Sequence, residues 1–189
     1  MEGTKSIAKG LAALRVVLGI GFLYAGLEKV LDFGGTGQPW TAAGFLGHAT
    51  GGSLPYMADP KAVVNPTHDV WVSLSTNPAA MDAINFLVQF GEIAIGIALI
   101  LGLATRFAGV MAAVMMGLFY VASWNFSLGP ITEQFIYGAV ALFLAYARAG
   151  DVYGLDGLIE RTGFSIRFVD LGDHRCGKCG ETIPYVSEP

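Results

Sequence analysis

Residues 80–103 read AMDAINFLVQFGEIAIGIALILGL. This run is apolar almost throughout and carries only Asp82 and Glu92 as charges. As an α-helix it is long enough to cross the roughly 30 Å hydrocarbon core of a bilayer. Its polar residues Asn85, Gln89 and Glu92 recur at i, i+4 and i+7, which places them on one helical face, and Gly96 continues the stripe. Glu92 lies about 18 Å along the helix at ~1.5 Å per residue, close to mid-bilayer. A carboxylate at that depth costs at least ~2.5–3.5 kcal/mol on insertion scales, so it must be paired, protonated or hydrated.

Three further apolar runs flank this one, at residues 10–31, 107–123 and 131–147. The composition agrees. Of 189 residues, 53% are hydrophobic and 14% charged, and the mean hydropathy is +0.55. A soluble domain would carry about 25% charged residues. The 26 glycines suit close packing of membrane helices. The expected fold is an all-α integral membrane protein: a four-helix transmembrane bundle over residues 1–150, a long external loop at 32–79 between the first two helices, and a short cytoplasmic tail at 151–189. The N-terminal basic flank and apolar run could mimic a signal peptide, but no small-x-small cleavage site follows, so the first helix is expected to be retained.

Basic residues orient the bundle. Lys5, Lys9, Arg106 and Arg148 fall on one side of four spans, together with Arg161, Arg167, Arg175 and Lys178 of the tail. The long loop carries Lys61 against Asp32, Asp59 and Asp69. The positive-inside rule then puts both termini in the cytoplasm, and the expected location is the plasma membrane of a prokaryote. Trp40, Phe45 and Trp71 in the loop predict a folded external cap, with short helices lying on the bundle mouth.

The spans supply a second set of polar groups. The first holds Tyr24, Glu28 and Lys29 toward its outer end and Arg15 toward the cytoplasm; the fourth brings Glu133, Gln134 and Tyr137. Lys29 must either snorkel or pair with a buried acid. The functional reading is a site open to the outer face with Glu92 at its floor. Glu92, Lys29 and Glu28 would carry the chemistry, and Asn85, Gln89, Tyr24 and Arg15 would hold a substrate. The structural reading is that these groups join the helices and fix their register, with Glu133 and Gln134 a solvated helix end.

Several functions are excluded or disfavoured. The histidines are His48, His68 and His174, and none lies in a span, so no haem is held within the bundle by two histidines. No dinucleotide fingerprint follows a strand, and no basic surface suggests nucleic acid. Repeats and broken helices, the marks of many transporters, are not evident. Redox chemistry here would need a diffusible carrier or a partner's cofactor. In the tail, His174-Arg-Cys176-Gly-Lys-Cys179-Gly has the form of a zinc knuckle. Zinc held by Cys176, Cys179 and His174, with a fourth ligand from Asp173, a partner or a second copy, is one reading. A pair of reduced thiols and a redox pair are the others.

The stretch Arg15-Val-Val-Leu-Gly19-Ile-Gly-Phe22-Leu-Tyr-Ala-Gly26-Leu-Glu-Lys29 resembles the R-x3-G-x2-F-x3-G-x2-K pattern that opens DoxX-like membrane proteins. Glu92 followed by Leu101-Gly-Leu-Ala-Thr-Arg106 looks like that family's second helix and turn. Gly150-Asp-Val-Tyr-Gly154-Leu-Asp156 is similar to its motif after the fourth helix, with Gly154 where the family usually has Ser. The resemblance covers residues 10–156 and implies the four-helix fold. It carries over Arg15, Lys29, Glu92, Arg106 and Asp156 as pattern positions. The longer first loop resembles DoxD-type chains, the membrane subunit of thiosulfate:quinone oxidoreductase. It implies a membrane subunit of a quinone-linked redox system, with a diffusible quinone whose headgroup carbonyl Glu92 and its amide neighbours would hold. The alternative is a non-catalytic accessory subunit of a larger respiratory complex. The implied partners are the lipid bilayer and other membrane subunits or a second copy of the chain. No residue on the outer side would accept a thiosulfate sulfur, because Cys176 and Cys179 lie in the tail.

Overall fold

The computed structural model describes residues 2–32, 35, 37–49, 65–124 and 130–161. Among these, all regular structure is helical: α1 Glu2–Leu31, α2 Ala43–Ala49, α3 His68–Thr76, α4 Pro78–Leu101, α5 Thr105–Ala122, α6 Glu133–Tyr146 and α7 Leu155–Arg161. Residues Ser6–Leu31 of α1, and the whole of α4 and α5, are long and apolar enough to cross a membrane. The apolar α6 has 14 residues, about 21 Å at ~1.5 Å per residue.

The outward faces identify the solvent. Val17, Phe86, Leu87, Leu118 and Phe143 are each more than half exposed, on four different helices. So large an apolar surface would drive aggregation in water and is the expected finish of a bundle in lipid. The chain is a multi-pass membrane protein.

Local chemistry sets the helix ends. Asn77 caps α4 by accepting the Ala80 N–H, and Pro78 occupies the first turn, where a missing N–H costs nothing. Gly102 ends α4 in the left-handed conformation at φ 66°, a region that favours glycine. Three residues later, at Thr105, α5 begins.

Glycines decide how α1 lies on α4. A Cβ at Gly96 would stand 2.5 Å from the Leu23 backbone nitrogen, and one at Gly26 would stand 2.9 Å from that of Ile93. The two backbones therefore touch, antiparallel, with Arg15 at Gly102, Leu23 at Gly96 and Gly26 at Ile93. In this register α1 ends well short of the start of α4. The first turns of α4 pack instead on the loop: Ala42 and Leu46 are buried against Met81, with Trp40 and Trp71 alongside. The main core joins Leu18 and Phe22 of α1, Leu99 of α4, Ala112 and Met116 of α5 and Leu144 of α6. α5 packs closely along α6, while α4 and α5 meet much less closely.

Candidate functional site

Lys29 and Glu92 form an ion pair, Nζ to Oε2 at 2.7 Å, with the side chains 17% and 4% exposed. Lys29 thus pairs with a buried acid, while Tyr24, expected to hold a substrate, is 60% exposed on α1. The pairing satisfies the requirement set by depth, and Lys29 turns inward to the acid. Its ammonium also donates to the Ala25 carbonyl at 3.0 Å and lies 5.4 Å from the centre of the Trp40 ring, within cation–π range. Among the described residues, two of the three ammonium protons thus have oxygen acceptors.

Lys29 also lines a cavity of about 790 Å³ between α4 and α5. Among the described residues of the lining it is the one charged residue, and its partner Glu92 is not part of the wall. The rest is aliphatic, aromatic or Met, including Ile84, Val88, Ala98, Phe107 and Met111. Trp40, Phe45 and Trp71 close one end.

The loop that forms this cap is fastened to both walls. The Ala42 N–H donates to Asn85 Oδ1 on α4 at 2.8 Å. Asn65, only 3% exposed, donates to the carbonyls of Val121 at 2.7 Å and Ala122 at 3.1 Å, at the end of α5. Its carbonyl oxygen accepts from the Thr67 hydroxyl at 2.7 Å, which in turn accepts from Trp71 Nε1 at 2.8 Å. Asn85, expected to hold a substrate, accepts the Ala42 N–H and so latches the cap to α4. Gln89 is half-buried one turn before Glu92, and Glu28 is exposed. Glu133 and Tyr137 of α6 are exposed and do not join the cluster.

Arg15, expected to hold a substrate from the cytoplasmic end of the first span, lies far from the Lys29–Glu92 pair. Arg15 and Lys29 lie 14 residues apart on one helix, about 21 Å at ~1.5 Å per residue. Arg15 is 1% exposed and donates to the carbonyls of Ala149 at 2.5 Å, Val152 at 3.3 Å and Tyr153 at 3.1 Å. Beside it, Asp156 accepts the backbone N–H groups of Ala104 at 2.6 Å and Thr105 at 2.8 Å, capping α5 from 51 residues away. The Asp156 N–H donates back to the Gly102 carbonyl at 2.8 Å. Arg15, Gly102, Gly154 and Asp156 thus form a clasp that ties the chain after α6 onto the α4–α5 turn. Gly154 stands against the Arg15 guanidinium and the Gly150 carbonyl, so the departure from Ser leaves room where a Cβ would collide.

A family model described as "TQO small subunit DoxD" matches residues 11–167. The chain belongs to the DoxD family. No curated protein and no solved structure matches it. The match spans both the Lys29–Glu92 centre and the Arg15–Asp156 clasp of this DoxD chain, and stops before His174, Cys176 and Cys179. Those three lie outside the described residues, as do the long loop's Asp59 and Lys61.

Sequence reasoning found Glu92 and Lys29 but missed Trp40 as the face beneath the ammonium, and missed the cleft. Trp40 follows Gly-Gln-Pro in a stretch with no periodicity, so nothing local aims it at Lys29.

Proposed function

We propose that this DoxD chain is the membrane subunit of a quinone-linked redox system of the thiosulfate:quinone oxidoreductase type, and that it holds the quinone end of the reaction. The buried Lys29–Glu92 pair at the head of an apolar cleft supports this reading above all. A quinone headgroup offers carbonyl acceptors to the Lys29 ammonium and a ring to the Trp40 indole. Its reduction takes up two protons with two electrons. Lys29 is placed to give a proton to the reduced oxygen; the Glu92 carboxylate would then take up a proton from water and pass it to the neutral amine, which restores the ion pair, once for each of the two protons. The family's description as a small subunit favours a second reading, a non-catalytic accessory role in a larger complex.

The test uses the complex purified from native membranes. Wild-type protein is expected to carry co-extracted quinone. Glu92→Gln should keep the assembly and lower thiosulfate-dependent quinone reduction by about 100-fold, the usual scale of a lost proton-transfer group. An unimpaired Glu92→Gln would leave the pair as packing. A large, stable assembly free of quinone would favour the accessory role.

The topology belongs to the same proposal. Four spans, with α6 as the last, put both termini in the cytoplasm of a prokaryotic cell and the Trp40 end outside. An outside thiol reagent on intact cells should label Gly51→Cys and spare Arg106→Cys; labelling of position 106 would overturn the orientation. In the tail, Cys176, Cys179 and His174 are proposed to bind one zinc ion with an outside ligand. Metal analysis should find about one zinc per chain; freely titratable thiols without zinc would leave a plain dithiol.

A further inference from the structure

The cleft between α4 and α5 has a shape that the chemistry at Lys29 does not require. On α4 its lining runs from Ile84 to Ala98, about 21 Å along the axis at ~1.5 Å per residue. On α5 it follows the facing stripe from Phe107 to Ala122, with Ala104 just before the helix. The cavity is therefore long and directed along the helices, with Lys29, the one charge among its described lining residues, beside Trp40 of the cap and apolar side chains along the rest.

We propose that this cleft is a slot for one isoprenoid tail, entered sideways from the bilayer, with the quinone ring held at Lys29 and Trp40. The inference rests on the quinone reading above and adds how the ligand is selected.

Gly91 supplies an independent observation. Gly19, Gly26 and Gly96 exist for backbone contact, since a Cβ on any of them would meet main-chain atoms. A Cβ on Gly91 would meet only Met115 Cε, at 2.7 Å, the far end of a flexible side chain. Gly91 is thus not needed to bring two helices together. With Ala94 and Ala98 it gives the α4 wall of the cleft small residues, and the end of the Met115 side chain from α5 lies against it.

The direction of entry follows from the rims. Leu87 and Ala94 on α4, and Phe107 and Met111 on α5, line the cleft and are exposed at the bundle surface. The slot is open to lipid along its side. Its capped end is closed by Ala42 and Leu46, each 4% exposed, latched to both walls through Asn85 and Asn65. At about 790 Å³ the cleft has room for one flexible chain laid along it.

The experiment places the native complex in lipid nanodiscs and titrates two probes with the same ring: ubiquinone with a long isoprenoid tail, and the tailless dimethoxy-methyl-benzoquinone. Affinities are compared at equal mole fraction in the membrane. Lipid is as apolar as the cleft, so the tail gains packing rather than escape from water, and the expected preference for the tailed quinone is about 10-fold. Gly91→Leu fills the slot below Lys29 and should remove that preference while leaving tailless binding within about twofold of wild type. Ala94→Phe, at an exposed rim where folding is not at stake, should act in the same direction. Equal affinity of the two quinones in wild type, or variants that weaken both alike, would overturn the slot and leave the quinone reading standing. Failure of wild type to bind either quinone would overturn both.

Discussion

At one end of the bundle Arg15 of α1 is buried among the carbonyls of Ala149, Val152 and Tyr153. At the other, Lys29 of the same helix is buried against Glu92 beside an open cleft. Both are cations inside a membrane protein, and both are compensated, as the cost of a charge in hydrocarbon demands. They differ in what compensates them. The guanidinium, a rigid fork of donors, spends its two terminal nitrogens on fixed backbone acceptors, while its buried Nε has no acceptor among the described residues. The ammonium has a titratable partner, one aromatic face and access to a cavity. A basic residue locked by main chain builds structure; one held by a carboxylate at the edge of a cleft remains available for chemistry.

Arg15→Ala is the hardest blow to this contrast. It removes three charge-assisted bonds at a site 1% exposed and should destabilise by about 3 kcal/mol or more, read as lost folded yield and a lower Tm in detergent. Turnover per folded molecule should stay near wild type. A variant that folds normally but cannot bind quinone would erase the distinction between the two ends. Arg15→Lys should not rescue, because an ammonium cannot span the three carbonyls.

Gly96→Leu tests whether backbone contact holds the second end together. The new side chain must push Leu23 away, at a cost of about 1–3 kcal/mol, and the shift separates Lys29 from Glu92. Quinone binding should fall in step with stability, unlike the response at Arg15.

Lys29→Met combined with Glu92→Gln sharpens the comparison. Removing both charges together should leave stability within about 1 kcal/mol, because the pair's attraction is roughly cancelled by its desolvation. A double variant that unfolds as readily as Arg15→Ala would make the Lys29 end structural as well.

The smallest effect belongs to Asp156→Asn. It keeps one acceptor for the start of α5 but removes the charge, and should cost about 1 kcal/mol. Faster hydrogen exchange confined to the Ala104 and Thr105 amides would report it.

The sequence by itself determined the membrane helices, because a span must satisfy its own backbone polar groups with a continuous apolar run, and such runs are visible in a local window. It also determined Glu92 as a site to explain, since the stripe Asn85, Gln89, Glu92 follows from helical period alone, and the short cap helices followed from apolar clusters in the loop. It did not determine what met what. Lys29 and Glu92 are 63 residues apart, and Arg15 and Ala149 are 134 apart; which cation took the carboxylate depended on the register of α1 on α4, and that register came from backbone contacts at Gly19, Gly26 and Gly96. Asn85 shares Glu92's stripe, yet only the docking of Ala42 showed it to be a latch. The cleft has no sequence pattern of its own, because it is the space left where α4 packs on α1 and α5 packs on α6, and space between helices is a property of packing alone.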